Sequence, residues 1–152
     1  MELILWRHAE AEIGEPDEGR KLTVKGHKQA WKMANWLDHN LPESCRILVS
    51  PAARTLQTAE ALGRKFKIVD ELAPDKSAQD LLMVANWPDS REPVLVIGHQ
   101  PTLGLVAAQL IGGQTQEWSI RKANVWWIGQ RERGNITTSF LRAVMAPDLV
   151  GK

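Results

Sequence analysis

The sequence has no tyrosine, only two phenylalanines and a single cysteine, Cys45. One cysteine excludes an internal disulfide and any paired-cysteine metal site, which suits a reducing compartment. No apolar run approaches the roughly 20 residues of a membrane span. Glu2 stands where a secretory leader carries basic residues, and the apolar stretch behind it is too short for a leader. The expected compartment is therefore the cytoplasm, with no membrane association. Neither sign of charge dominates: 19 Lys and Arg face 18 Asp and Glu, a formal net charge of +1. That balance lacks the basic excess of a nucleic-acid binder, so any anion site must be local. With no internal repeat, low-complexity tract or linker, residues 1–152 read as one domain, long enough to bury a core without staples.

What is present is a regular alternation. Short apolar runs recur at 3–6 (LILW), 46–49 (RILV), 67–69 (KIV), 94–97 (VLVI), 125–128 (VWWI) and 136–142 (ITTSFLR). Helical segments separate the first four, which predicts βαβ units around a largely parallel sheet. The last two, joined by a polar turn around Gly134-Asn135, predict an antiparallel hairpin. The expected fold is α/β: a three-layer sandwich with a mostly parallel mixed sheet of five or six strands, helices on both faces and no cap insertion.

The first helix is expected from Thr23, whose hydroxyl caps free amides, to about His39. Ala30, Met33, Ala34 and Leu37 share one face, Trp31 and Trp36 flank it as packing residues, and Gly26 is a weak point for propensity. His27 and His39 read as surface residues. A second helix is expected after Ser50-Pro51, with Ser50 as N-cap and Pro51 in the first turn. A third covers about 77–86, and a fourth runs from Pro101 to Gly112-Gly113. Residues 13–22 read as an exposed polar loop. Adjacent Trp126 and Trp127 must point to opposite faces of a strand, which predicts core packing on both.

Three of the apolar strands end in reactive side chains. LILW gives way to Arg7-His8, ILV to Ser50-Pro51-Ala52-Ala53-Arg54, and VLVIG to His99-Gln100-Pro101. In open α/β sheets ligands bind beyond the carboxyl ends of the strands. If these three are parallel neighbours, two arginines and two histidines share one crevice. Two cationic groups at a buried strand end need something to pair with. Arg54, in the first turn of a helix, opposes the helix dipole unless a dianion compensates it.

These residues resemble the histidine phosphatase superfamily. Arg7-His8-Ala9-Glu10 is similar to its Arg-His-Gly signature, and LTVKGHKQA (22–30), VSPAARTLQTAEAL (49–62) and VIGHQPTLG (96–104) match its later motifs in order. The short length, ELAP at 71–74 and GHQP at 98–101 resemble most the SixA-type phosphohistidine phosphatases, the small branch without an inserted helical cap. The resemblance implies that His8 is the nucleophile and forms a phosphohistidine intermediate. It implies that Arg7, Arg54 and His99 surround the transferred phosphoryl group as catalytic and phosphate-binding residues. It implies no metal and no other cofactor. Phosphoryl transfer asks chiefly for in-line positioning and charge stabilisation, and two guanidiniums grip the equatorial oxygens bidentately where lysine grips less specifically. An imidazole nucleophile must be neutral, so two neighbouring arginines are expected to hold the His8 pKa below about 6.5. His99 is expected to act protonated, donating to a phosphoryl oxygen.

The chain departs from the family pattern in two places. Ala9 replaces the usual glycine, which is tolerable at negative φ. Pro74, in Glu71-Leu72-Ala73-Pro74-Asp75, stands where many members carry a carboxylic acid. The general acid is one of Glu10, Glu12, Glu71 and Asp75, or none. Protonated imidazole leaves more easily than an alkoxide, so a weak acid and an open crevice favour phosphohistidine on a partner protein, such as a histidine phosphotransfer domain or a phosphotransferase-system protein. The alternatives are the same mechanism on phosphoserine, phosphothreonine or small phosphate esters, and a non-catalytic phosphate or phosphopeptide binding module. A monomer is expected. Arg20, Lys21 and Lys25 are candidates for a basic rim at the entrance.

Overall fold

A strand that is apolar at every position needs cover on both faces. In the computed structural model, which describes residues 1–151, LILW becomes β1 (Leu3–Arg7), with Ile4 and Trp6 in one core layer and Leu3 and Leu5 in the other. β2 (Arg46–Val49) and β4 (Val94–Gly98) alternate in the same way. α1 (Val24–Asn40) and α2 (Ala53–Glu60) cover one face of the sheet. α3 (Ala78–Val84) and α4 (Thr102–Gly112) cover the other. With β3 (Lys67–Ile68), β5 (Val125–Arg133) and β6 (Ile136–Met145), six strands are found among the described residues. Their order is β3-β2-β4-β1-β5-β6. The first four are parallel, β5 runs antiparallel to β1, and β6 antiparallel to β5. This is the mixed three-layer α/β arrangement expected from the alternation. Between Gly63 and Val94 the chain forms only β3, a tight turn at Asp70–Leu72 and α3, so no cap is inserted there.

α1 starts where the cap predicts: Thr23 Oγ1 accepts from the Gly26 amide at 2.9 Å. Ala30, Met33, Ala34 and Leu37 are buried, and so is Gly26, for a reason propensity does not show. A Cβ at position 26 would run into the Glu10 carbonyl, so glycine lets the helix lie against the segment that follows His8. Trp36 packs edge-on against Trp127, its ring centroid 6.1 Å away. Trp31, expected to pack, instead is 60% exposed. Position 31 lies a full 100° step around the helix from Ala30, beyond the edge of the apolar stripe.

The second helix corrects the expectation more sharply. It begins at Ala53, with Ala52 as the cap residue and Pro51 outside it. Ser50 stands two residues before that cap, and its amide donates to the Ile97 carbonyl, extending the sheet by one residue. The hairpin turns at Gly134, whose φ of +62° suits glycine. Trp127 packs in the α1/α2 layer and Trp126 against the other, so the pair does serve both faces.

Candidate active site

Parallel registry brings the three strand tips side by side: Arg7 pairs with Gly98 and Val49 with Ile97. Beyond them the His8 amide donates to the Gly98 carbonyl at 3.2 Å, and its carbonyl accepts from Ala123 at 3.1 Å. The Ala9 amide donates to Thr58 Oγ1 at 3.1 Å, and that hydroxyl donates to the Arg54 carbonyl at 2.7 Å. Thr58, which no local pattern singles out, thus couples the segment after β1 to α2. Ala9 has negative φ and packs into the α1/α2 core, so the missing glycine is accommodated.

His8 is 6% exposed. Its Nδ1–H donates to the Ala9 carbonyl at 2.7 Å. A carbonyl only accepts, so the neutral ring carries its proton on Nδ1 and its lone pair on Nε2. Burial, with Arg7, Arg54 and Arg20 behind it, pushes the His8 pKa down to about 4, against the raising effect of the Ala9 hydrogen bond. The depression has the expected direction, but desolvation is its larger cause and the arginines the smaller one.

The His99 ring lies 5.4 Å from that of His8, centroid to centroid. Ser50 Oγ and His99 Nε2 are 2.7 Å apart, and Ser50 Oγ also accepts from the Ala52 amide at 3.3 Å. The Ser50 hydroxyl is thus committed to the neighbouring strand tip, a role the sequence did not signal. Burial, then Arg54 and His8, lowers the His99 pKa to about 3. In the protein by itself the ring is therefore neutral at pH 7, and the protonated His99 expected from the sequence belongs to the phosphoryl-bound site.

Arg54 is 5% exposed, in the first turn of α2. Its Nη1 donates to the Asp17 carbonyl at 2.8 Å and its Nη2 to Asp17 Oδ2 at 3.1 Å. Asp17 also accepts from Arg20 Nη1 at 3.0 Å, and these hydrogen bonds, the one from Arg20 foremost, hold its carboxyl below the usual range. A bound dianion was the expected counterion for Arg54, yet the chain supplies a carboxylate of its own. Asp17 belongs to the polar 13–22 loop, where a carboxylate carries no signal distinguishing it from solvated neighbours. Arg7 donates through Nη1 to the Ile120 carbonyl at 2.9 Å, and burial followed by Arg54 lowers its pKa. Arg7 Nε, Arg54 Nε and His99 Nδ1 are buried without a hydrogen-bond partner among the described residues.

The structure therefore gathers Arg7, His8, Arg54 and His99 around one crevice, joined by Ser50, Asp17 and Arg20. It does not gather the carboxylates. Glu10 is half-buried and accepts from Thr23 Oγ1 at 2.8 Å. Glu12, Glu71 and Asp75 are exposed. Among the described residues none of these four carboxylates bonds to any of the four crevice residues. Of the expected rim, Arg20 reaches the crevice through Asp17, whereas Lys21 is exposed on the loop and Lys25 on α1.

The fold is a mixed α/β sandwich, and the cluster gathers two arginines and two histidines at the carboxyl ends of its parallel strands. Residues 3–76 match the model of the histidine phosphatase superfamily (branch 1). The chain is 33% identical over 124 residues to the phosphohistidine phosphatase SixA of Escherichia coli strain K12, covering 76% of this chain and 77% of that one. It is 33% identical over 128 residues to a SixA homolog of Haemophilus influenzae, covering 74% and 78%. A solved structure of the protein histidine phosphatase SixA complexed with tungstate superposes with a TM-score of 0.77 at 28% identity, over 97% of this chain and 98% of that one. The chain belongs to the histidine phosphatase superfamily, and it is a phosphatase.

Proposed function

We propose that the protein removes the phosphoryl group from phosphohistidine on a partner protein, in the cytoplasm, by way of a phosphohistidine formed on His8 and without a metal. His8 Nε2 attacks phosphorus as the substrate's P–N bond breaks, and the departing imidazole takes up a proton. Water then attacks the phosphorus on His8, the P–Nε2 bond breaks, and inorganic phosphate leaves. Arg7 and Arg54 hold the equatorial oxygens, where charge is spread in the transition state. His99 enters this scheme neutral. A dianion beside it favours its imidazolium form, so substrate binding itself protonates the ring and lets it donate to a phosphoryl oxygen.

The observation that carries this reading is the His8 tautomer: a hydrogen bond to its own neighbour's carbonyl leaves Nε2 unprotonated beside two arginines. The choice of a P–N bond is supported by the four carboxylates, none of which bonds into the crevice, since imidazole needs less help to leave than an alkoxide. It is supported also by the relatives, two of them SixA proteins by name. A relative complexed with tungstate, a tetrahedral oxyanion, supports the anion site.

The test is to offer a phosphohistidine protein, a phosphoserine peptide and p-nitrophenyl phosphate, with and without chelator. The expected result is turnover of phosphohistidine, unchanged by chelator, with acid-labile label on His8 that disappears in His8→Ala. Broad ester turnover overturns the substrate assignment. Binding without label or turnover overturns the mechanism.

A further inference from the structure

The cationic side chains of this nearly neutral protein are unevenly placed. A cavity of about 810 Å³ beside α1 is lined by Arg7, Lys25, Lys28, Lys32, Arg121 and Lys122, against only two carboxylates, Glu10 and Asp148. Arg7 belongs to both this groove and the crevice. Lys25, Lys28 and Lys32 fall at helical spacing on one side of α1. Among the described residues none of Lys25, Lys28, Lys32, Arg121 and Lys122 is in an ion pair. Glu10 is occupied by Thr23. Like charges at this spacing repel, so the groove carries a positive potential that the chain does not discharge internally.

A second groove, of about 580 Å³, runs along the neighbouring side of the same helix and includes Val24, Trp31 and Ala61. Lys28 lines both grooves. Trp31 is the exposed tryptophan that core packing failed to claim. An exposed aromatic beside unpaired cations matches the make-up of a recognition surface, in which an apolar anchor supplies affinity and surrounding charge supplies orientation and rate.

We propose that this face of α1 docks the phosphohistidine-bearing protein, its basic groove taking an acidic surface around the phosphorylated histidine and Trp31 serving as the apolar anchor. The inference rests on the substrate reading above and adds what selects the partner. A protein fits this face better than a nucleic acid, because the basic groove adjoins a second one that holds the apolar Val24, Trp31 and Ala61, and the whole chain carries only +1.

Two helical peptides of about 20 residues provide the test: one carries its phosphohistidine flanked by glutamates, the other by glutamines. The expected kcat/KM is about tenfold higher for the acidic peptide, the difference residing in KM and vanishing at about 0.5 M NaCl. Lys28→Glu with Lys32→Glu should abolish it, and Trp31→Ala should raise KM for the acidic peptide, while hydrolysis of free phosphohistidine is unchanged in both. Binding of the unphosphorylated acidic peptide to His8→Ala, measured by calorimetry, reads the docking face without catalysis. If neither peptide is hydrolysed yet charge reversal weakens this binding, the substrate reading falls and the docking face stands. Equal affinity for both peptides, indifference to charge reversal, or tighter binding of single-stranded DNA than of the acidic peptide overturns the docking proposal.

Discussion

The two walls of the crevice are built from unlike material. One consists of strand tips: His8, Ser50 and His99 are buried, the His8 and Ser50 amides continue the hydrogen-bond ladders of β1 and β2, and the His99 carbonyl accepts from the Leu103 amide of α4. The other is the polar 13–22 loop, whose contribution is a half-exposed carboxylate, Asp17, reaching Arg54 and Arg20. The first wall fixes position, because moving any of its residues disturbs a packed sheet. The second adjusts charge, and water screens much of what it does. The comparison teaches that, in the proposed mechanism, precision for phosphoryl transfer comes from the core, while the loop keeps the buried Arg54 guanidinium paired.

That contrast can be broken or sharpened, starting with the strand-tip wall. His8→Ala should abolish acid-labile label and reduce turnover about a thousandfold or more, measured with a phosphohistidine protein. Arg54→Lys retains the charge but not the fork; kcat should fall about a hundredfold, with a smaller change in KM. Ser50→Ala removes the partner of His99 Nε2 and frees the ring's orientation. A loss of about tenfold in kcat is expected, with an altered acid limb in the pH profile, as for other residues that act through the ring they hold. Asp17→Asn should cost least, about threefold, and less still at high salt. A loss as large as that of Arg54→Lys would erase the distinction between the walls.

Stability reports on the same histidines. The His8 pKa is about 4 in the folded chain against about 6.5 when unfolded, so between these values the unfolded state binds the extra proton. The contribution of neutral His8 is therefore undiminished above about pH 6.5 and lost progressively as pH falls toward 4. His99, depressed for the same first reason, acts in the same direction. Thermal melts should show Tm falling over this interval, and the fall should be shallower in His8→Gln. An unchanged slope would refute the depressed value.

Much of the site was legible because its residues terminate the most hydrophobic runs in the chain. Arg7-His8 and His99 follow strands apolar at every position, and such strands have only the sheet centre to occupy. Ser50 was legible as a polar residue in the right place but with the wrong task. Its hydroxyl turns to His99 because the strand runs one residue further than the helix-start pattern implies. Gly26 was misjudged as a propensity cost, since nothing local reveals that the Glu10 backbone lies against it. The neutral resting state of His99 was not legible because burial, the largest influence on it, is a property of the assembled layers.

The sequence by itself determined the layer order, the helix cap at Thr23 and the convergence of two arginines and two histidines, because periodicity and turn chemistry act over a few residues. Only the tertiary structure decided that Asp17 pairs with Arg54, that Ser50 bonds to His99, and that Trp31 remains outside with the lysines of α1. Those outcomes depend on which distant segments pack together, and contacts between residues tens of positions apart leave no trace in local pattern.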